Sequence, residues 1–251
     1  MIRAVLIDLG DTLVHLARPW DDVFRDNLES LYSYLRGEGL NSAFDEFAKI
    51  FIRGFEGAST VSHFYKIEIP MQEIMSKTMR KVKFREPGLA FVDNAVMEFY
   101  KPEIDAWELY PDTLETLSAL EDAGFDLGLI SNSKSDWAVH AILDKHGLRE
   151  FFKVIVTSAA IRKRKPRPDP FTEVLRGLGA KPSETVFVGD SLEADILGAK
   201  TMGIRSIYVL RKPMEHPPLV VPEVTVNSLN EALEQITRWN SSSLGMSSPT
   251  G

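Results

Sequence analysis

The sequence contains no cysteine. Disulfide bonds, thiolate metal sites and cysteine nucleophiles are therefore excluded, and the chain fits a reducing compartment. It also has no apolar run near the length of about 18 residues that spans a bilayer. Its first apolar segment reaches Asp8 too early to form the core of a signal peptide. We therefore expect a cytoplasmic protein with no membrane partner.

Basic residues are outnumbered by acidic ones, 29 against 36, and the formal net charge is −7. A dedicated nucleic-acid binder needs a basic surface for the phosphate backbone, so this class is excluded. In other respects the composition is that of an ordinary globular protein, with 44% hydrophobic and 26% charged residues. A chain of 251 residues can form one large domain or two modest ones.

Short apolar runs that end in small or polar residues are typical of strands buried on both faces of a sheet. Four such runs lie at residues 4–7, 127–130, 154–156 and 186–188, and two further candidates lie at 206–210 and 224–226. From about Tyr110 onward these runs alternate with amphipathic helical patterns. The alternation predicts an α/β fold in which a parallel sheet carries helices on both faces.

The segment after the first strand has a different pattern. Residues 16–107 look almost wholly helical, with candidate helices at 20–36, 43–55, 71–83 and 89–100. An all-helical block inserted into an α/β domain predicts a second, smaller cap domain over 16–107. The core domain would comprise 1–15 and 108–239. The tail, 240–251, lacks apolar periodicity and is predicted to be disordered.

Ligands bind beyond the carboxyl ends of the strands in an open parallel sheet, so the residues that follow the strands carry the chemistry. Here those residues are Asp8, Ser131, Asn132, Lys165, Asp190 and, five positions later, Asp195. They combine carboxylates, a hydroxyl, an amide and an ammonium at one edge of the fold. Phosphoryl transfer would use each of these groups.

The predicted nucleophile is Asp8, because a carboxylate can split phosphate-ester hydrolysis into formation and breakdown of an aspartyl-phosphate. Mg²⁺ prefers oxygen ligands, which Asp8, Asp190 and the carbonyl oxygen of Gly10 would supply. The phosphoryl oxygens would be bound by Ser131, Asn132 and Lys165. The other basic residues of 162–167 are expected at the surface, where they raise the local potential.

Four motifs in this order resemble the haloacid dehalogenase superfamily of hydrolases. They are Asp-Leu-Gly-Asp-Thr-Leu at 8–13, Ser-Asn at 131–132, Lys-Pro at 165–166 and Gly-Asp-Ser-Leu-Glu-Ala-Asp at 189–195. The resemblance covers residue 1 to about residue 210 and is to members with a helical cap, similar to phosphoglycolate phosphatases. It implies a Rossmann-like core and a Mg²⁺-dependent phosphatase that acts on small phosphorylated metabolites.

By the same resemblance, Asp195 helps to hold Lys165 or the metal shell and does not react.

One position departs from the family's pattern. The family's phosphatases usually carry a second aspartate two positions after the nucleophile, as general acid and base, and here that position is Gly10. Asp11 follows one place later, where its side chain would point away from the site if the chain were extended. The backbone freedom of Gly10 would allow a turn that directs the Asp11 side chain into the site.

Three hypotheses therefore remain. The first is the phosphatase, with Asp11 or water in the acid–base role. The second is a 2-haloacid dehalogenase, since the superfamily's dehalogenases also lack the second aspartate. They need no metal, so Asp190 and Asp195 weigh against this hypothesis. The third is a weakly active or non-catalytic protein that binds phosphate ligands, and Gly10 is its one support.

Overall fold

A computed structural model describes residues 1–84, 87–211 and 220–244. The strands of this part of the chain are β1 (Ala4–Ile7), β2 (Val14–Leu16), β3 (Trp107–Leu109), β4 (Asp126–Ser131), β5 (Val154–Thr157), β6 (Thr185–Gly189), β7 (Arg205–Val209) and β8 (Val224–Val226). Six of them form one parallel sheet in the order β5-β4-β1-β6-β7-β8. The six predicted strands are these six, so the predicted sheet is confirmed.

The helices are α1 (Trp20–Gly37), α2 (Phe44–Tyr65), α3 (Met71–Lys81), α4 (Leu89–Ala106), α5 (Thr113–Asp122), α6 (Asp136–Lys145), α7 (Ser158–Ile161), α8 (Pro168–Leu178), α9 (Leu197–Thr201) and α10 (Leu229–Leu244). A π-helical turn at Leu192–Ile196 leads directly into α9. None of the helices in the described part of the chain is both long and apolar enough to cross a membrane.

The sheet is buried on both faces, and β1 shows why its sequence is continuously apolar. Val5 and Ile7 contribute to the core that α5, α6 and α10 cover, whereas Ala4 and Leu6 contribute to the core beneath α8 and α9. Because successive side chains of a strand point to opposite faces, all four must be apolar. This arrangement places β1 at the centre of the sheet, and its carboxyl end lies between those of β4 and β6.

Helices α1 to α4 form a second apolar core, to which Ala138 of α6 also contributes. Its fully buried side chains include Phe47, Phe51, Phe99, Met71 and Met75. Helix α1 packs along α4, and α2 packs on α3. The two short strands β2 and β3 pair antiparallel at the base of this helical segment, where the chain leaves and re-enters the α/β part. The sequence gives no signal for this pair, and the predicted limits at 15/16 and 107/108 fall inside it.

The predicted tail differs from the structure in part. Helix α10 runs through residues 240–244, which were expected to be disordered. Asn240 explains the extension, because its side chain accepts a hydrogen bond from the backbone N–H of Ile2 at 2.7 Å and donates to the Ile2 carbonyl at 3.2 Å. The helix end is thereby fixed to the start of β1. Residues 245–251 lie outside the described part of the chain.

Candidate active site

A cavity of about 390 Å³ opens at the carboxyl ends of β1, β4 and β6. The eight residues singled out in the sequence all line it: Asp8, Gly10, Asp11, Ser131, Asn132, Lys165, Asp190 and Asp195. The topology accounts for this convergence. Asp8 follows β1, Ser131 ends β4 and Asp190 follows β6, and these three strands are neighbours in the sheet.

Lys165 is the most constrained residue of the cavity. Its side chain is almost fully buried, and its Nζ lies 2.5 Å from Asp8 Oδ1 and 2.7 Å from Asp195 Oδ1. It also donates a hydrogen bond to the carbonyl of Ile130 at 2.8 Å. One ammonium group therefore joins the ends of β1 and β4 to the turn after β6.

Asn132 holds the backbone of Lys165 in place. Its Oδ1 accepts a hydrogen bond from the Lys165 N–H at 2.9 Å, and its Nδ2 donates to the Lys165 carbonyl at 3.2 Å. Both polar atoms of this amide are thus engaged with the neighbouring loop. These contacts fix the backbone of Lys165 beside the cavity, and the predicted contact between Asn132 and phosphate stays a prediction.

Asp195 reaches Lys165 because Gly189 leaves room for it. A Cβ at position 189 would lie 2.3 Å from Asp195 Oδ2, so any side chain there would force Asp195 to shift. The π-helical turn presents the carboxylate at this point. It is capped by the Ser191 hydroxyl, which accepts from the Ala194 N–H at 3.1 Å, and Asp195 Oδ2 accepts from the Ser191 N–H at 3.0 Å. Asp195 itself is completely buried.

Thr12, for which the sequence predicted no role, contacts two of the carboxylates. Its hydroxyl is buried and lies 3.4 Å from Asp8 Oδ2 and 3.4 Å from Asp190 Oδ1. Thr12 is the fifth residue of the first motif, so its place in that motif was the available signal.

Burial and neighbouring charges raise the pKa of two carboxyl groups of the cavity, those of Asp8 and Asp190. Burial raises the pKa of Asp8 to about 6, with Lys165 acting against the rise and Asp195 adding to it. Burial also raises the pKa of Asp190 to about 8, and the charges of Asp8, Asp195 and Asp11 add to that effect. Burial lowers the pKa of Lys165, but Asp195 and Asp8 outweigh it, so the pKa of this lysine is raised and its charge is retained.

The turn after Asp8 differs from the one that the sequence suggested. Asp11, not Gly10, has left-handed backbone angles, with φ of 55°. The turn directs Asp11 to the cavity, and its charge contributes to the raised pKa of Asp190. A Cβ at position 10 would lie 3.4 Å from the Trp107 ring, which is an ordinary van der Waals distance. Gly10 is therefore packed beside Trp107, and this contact does not by itself require glycine.

Arg164 is not the surface residue that its charged neighbours led us to expect. It lines the cavity and forms a short ion pair with the fully buried Glu68. Glu68 also receives hydrogen bonds from the Ser158 hydroxyl at 2.7 Å and from Lys134 Nζ at 3.2 Å. No sequence pattern marks Glu68 or Arg164, since the two residues lie 96 positions apart along the chain.

The oxygen donors of the cavity fit a hard divalent cation. Asp8, Asp190 and Asp195 each place a carboxylate oxygen within 4.8 Å of the others. Mg²⁺ is bound by oxygen ligands, commonly one or two carboxylates with water and substrate phosphate. Both oxygens of Asp195 are engaged, Oδ1 with Lys165 and Oδ2 with the Ser191 N–H, whereas Asp8 contacts Lys165 through Oδ1 alone. Asp8 and Asp190 are therefore the more available carboxylates.

A model of the haloacid dehalogenase-like hydrolase family matches residues 2–203. The glyceraldehyde 3-phosphate phosphatase of Methanopyrus kandleri is 29% identical over 218 residues, which are 84% of this chain and 85% of that protein. Two crystal structures have a similar fold. A 2-haloacid dehalogenase from Pseudomonas syringae has a TM-score of 0.71 at 22% identity, covering 95% of this chain and 100% of that one. A haloacid dehalogenase-type phosphatase from Thermococcus onnurineus has a TM-score of 0.65 at 21% identity, covering 94% and 98%.

At these identities the two structural neighbours establish the Rossmann-like fold and no more. The family match covers all four motifs, including the cavity residues from Asp8 to Asp195. It spans most of the 251 residues and agrees with the resemblance that the motifs themselves carry. The chain belongs to the haloacid dehalogenase-like hydrolase family.

Proposed function

We propose that the protein is a Mg²⁺-dependent phosphatase that hydrolyses small phosphate monoesters through an aspartyl-phosphate on Asp8. One observation carries the proposal. A buried lysine bridges Asp8 and Asp195 in the same cavity in which Asp8, Asp190 and Asp195 bring their oxygens within 4.8 Å of one another. A dehalogenase needs no metal and therefore has no use for this cluster of three carboxylates. The Methanopyrus kandleri relative, named for a small phosphate ester, supports the same activity.

In the first step a carboxylate oxygen of Asp8 attacks phosphorus, and the bond from phosphorus to the leaving-group oxygen breaks. Lys165 orients Asp8, and its charge offsets part of the negative charge that gathers on the phosphoryl oxygens. Ser131 lines the cavity beside it and offers a hydroxyl to these oxygens. In the second step water attacks the same phosphorus, which releases phosphate and restores Asp8.

Asp11 is the proposed proton donor to the leaving oxygen and the proposed base for the water. Its left-handed backbone turns it to the cavity, and it lies near enough to Asp190 to raise the pKa of that carboxyl. General acid–base help of this kind is worth about 10²- to 10⁴-fold in rate. Asp11 would thus replace the acid that is absent at Gly10.

Mg²⁺ would be held by Asp8, Asp190 and the carbonyl oxygen of Gly10, while Asp195 supports the site through Lys165. When bound, the cation offsets the repulsion between the phosphate dianion and the carboxylate nucleophile. The partner would be a small phosphorylated metabolite.

The test measures phosphate release from an aryl phosphate and from an alkyl phosphate, with Mg²⁺ and with a chelator. We expect turnover that needs Mg²⁺ and is lost in Asp8→Asn. An aryl leaving group needs little protonation, so Asp11→Asn should slow the alkyl ester by about 10²-fold or more and the aryl ester much less. Asp105→Asn is the control, because Asp105 is exposed and does not line the cavity.

The other hypotheses predict different results. A dehalogenase would release chloride from 2-chloropropionate without Mg²⁺ and would leave both phosphate esters intact. A non-catalytic protein would bind inorganic phosphate or a substrate ester without turnover. Either outcome, in protein shown to be folded, would refute the proposed phosphatase.

A further inference from the structure

Glu103 is a carboxyl group that the helical segment places in the catalytic cavity. Among the described residues that line the cavity, those between 16 and 107 are Glu103, near the end of α4, and Trp107, at the start of β3. The phosphate-binding side of the cavity is built by the α/β part. A group on the opposite wall is therefore placed to contact the leaving group of the substrate.

The position of Glu103 is fixed by a buried partner. Asn27 on α1 is completely buried, and its Nδ2 donates a hydrogen bond to Glu103 Oε2 at 3.1 Å. Helices α1 and α4 pack along each other, so the two side chains are carried on one rigid pair of elements. Burial raises the pKa of Glu103 to about 7, against which the hydrogen bond from Asn27 acts. Near neutral pH this carboxyl can therefore donate as well as accept a hydrogen bond.

Glu103 and the reacting carboxylates come from different parts of the fold. Asp8 and Asp190 follow β1 and β6 of the sheet, whereas Glu103 lies near the end of α4 in the helical segment. Trp107 is close to both parts, since its ring lies against Gly10 and its side chain acts on the pKa of Glu103. Glu103 is therefore placed to contact the leaving group of a substrate whose phosphate lies at Asp8.

The charge of the cavity limits the chemistry of the leaving group that it can bind. Among the described residues, five line it with a carboxyl group, namely Asp8, Asp11, Glu103, Asp190 and Asp195. Two cationic side chains, Arg164 and Lys165, also line it, and both are already paired with carboxylates. A bound Mg²⁺ and a phosphate dianion cancel each other in charge. A second anionic group on the substrate would then face an excess of negative charge, whereas a hydroxyl would find a hydrogen-bonding partner.

We propose that Glu103 is a specificity-determining residue that binds a hydroxyl group of the leaving group. The preferred substrates are then monophosphates of small hydroxyl-bearing molecules that carry no second anionic group. This inference rests on the proposed phosphatase function and adds a substrate class to it. A buried group built to hydrogen-bond a substrate hydroxyl rejects an analogue that lacks it, because the protein group is left unpaired.

The experiment compares glycerol 1-phosphate with propyl phosphate, which has the same carbon chain without the hydroxyls. We expect the wild type to prefer glycerol phosphate by about tenfold or more in kcat/KM. Glu103→Leu should remove this preference, because it should lower kcat/KM for glycerol phosphate about tenfold more than it lowers kcat/KM for propyl phosphate. Glu103→Gln should keep part of the preference, since an amide still donates and accepts. Asp105→Leu, on an exposed residue of the same helix, should preserve it.

The inference is overturned if the active wild type treats the two esters alike, or if Glu103→Leu slows both equally. A preference for phosphoglycolate or phosphoethanolamine over glycerol phosphate also overturns it, because it would show recognition of a charged leaving group. The proposed function fails separately, if no ester is hydrolysed. Titration calorimetry with Asp8→Asn, with and without Glu103→Leu, tests the same preference by binding and does not depend on turnover.

Discussion

At the scale of single residues, Lys165 forms two buried ion pairs, one with Asp8 and one with Asp195. It is buried between two carboxylates, and each of these would lose its counter-charge if the ammonium were removed. A buried charge without its partner is costly, whereas the same pair at the surface contributes little. The lysine therefore supports both the architecture of the site and its chemistry.

Lys165→Met should consequently lower kcat for an aryl phosphate by at least about 10²-fold, because the donor that faces the developing charge is lost. It should also lower the free energy of unfolding, measured by urea denaturation. Lys163→Met provides the control, since Lys163 lies two positions away and does not line the cavity. Equal activities of the Lys165→Met variant and the wild type would contradict the role given to this residue.

The pKa of Glu103 makes stability depend on pH. The folded protein raises this pKa from an ordinary 4.5 to about 7 through burial. A carboxyl with a raised pKa in the folded state stabilises most below pH 4.5, and this contribution is lost as the pH rises through 7. Glu103→Gln has no carboxyl group at this position to titrate, so it does not lose this stabilisation. Its free energy of unfolding relative to the wild type should therefore rise by up to about 2 kcal/mol between pH 5 and pH 8.

Urea denaturation of both proteins at the two pH values measures this difference. Asp105→Asn, which removes an exposed carboxyl group from the same helix, serves as the comparison. A difference for Glu103→Gln that does not grow with pH would show that the carboxyl is not desolvated in the folded state.

The residues that the sequence could identify are those that directly follow apolar strands. Asp8 and Asp190 stand out because a buried strand ends at each of them, and the sheet topology brings such ends together. Glu103 and Glu68 have no such signal. Each lies in or beside a helical segment rich in polar residues, and only the packing of that segment on the α/β part decides that they face inward.

At the scale of secondary-structure elements, the close approach of Gly189 in β6 to the π-helical turn determines where Asp195 lies. Gly189→Ala would place a Cβ 2.3 Å from Asp195 Oδ2, so the turn must shift and the contact between Asp195 and Lys165 must lengthen. We expect a fall in kcat of at least about tenfold and a lower free energy of unfolding, since overpacking costs about 1–3 kcal/mol.

Gly57→Ala is the matched comparison for this substitution. A Cβ at Gly57 meets nothing within 4 Å, and the residue lies within α2. Alanine there should be neutral or stabilise the helix by up to about 1 kcal/mol, without an effect on kcat. If Gly189→Ala proved as mild as Gly57→Ala in both measurements, the approach of Asp195 to β6 would be looser than the structure implies.

Strands were predicted more closely than helix ends, for a physical reason. A strand buried on both faces is apolar throughout, so β1 and β8 coincide with their predicted limits. Helix α2 was expected to end at residue 55 but continues to Tyr65, because tertiary contacts outweigh its weak local signal. Its Gly54 faces Ile74 and Thr78 of α3, and Ala58 and Ser62 are buried. The pair β2 and β3 has three residues per strand, too few for a periodic pattern.

At the scale of the whole molecule, the segment after α2 is bound to the α/β part by main-chain and side-chain contacts. The Glu68 N–H donates to the Arg162 carbonyl at 3.2 Å, and the Met71 N–H donates to the Lys134 carbonyl at 2.8 Å. Between them the Glu68 carboxylate, fully buried, pairs with Lys134 and Arg164. Burial lowers the pKa of Lys134, and the charge of Glu68 opposes this effect. Glu68 is thus the charged centre of the contact between the helical segment and the α/β part.

Glu68→Gln should therefore destabilise the protein by about 3 kcal/mol, because two partly buried cations lose their common counter-charge. Glu73→Gln is the control: Glu73 pairs with Arg162 at the surface of the same contact, and an exposed pair contributes less than about 1 kcal/mol. Urea denaturation compares the two variants. Native-state hydrogen exchange should show that Glu68→Gln, unlike Glu73→Gln, speeds exchange at the Met71 amide. Similar effects of the two variants would mean that burial of Glu68 does not strengthen this contact.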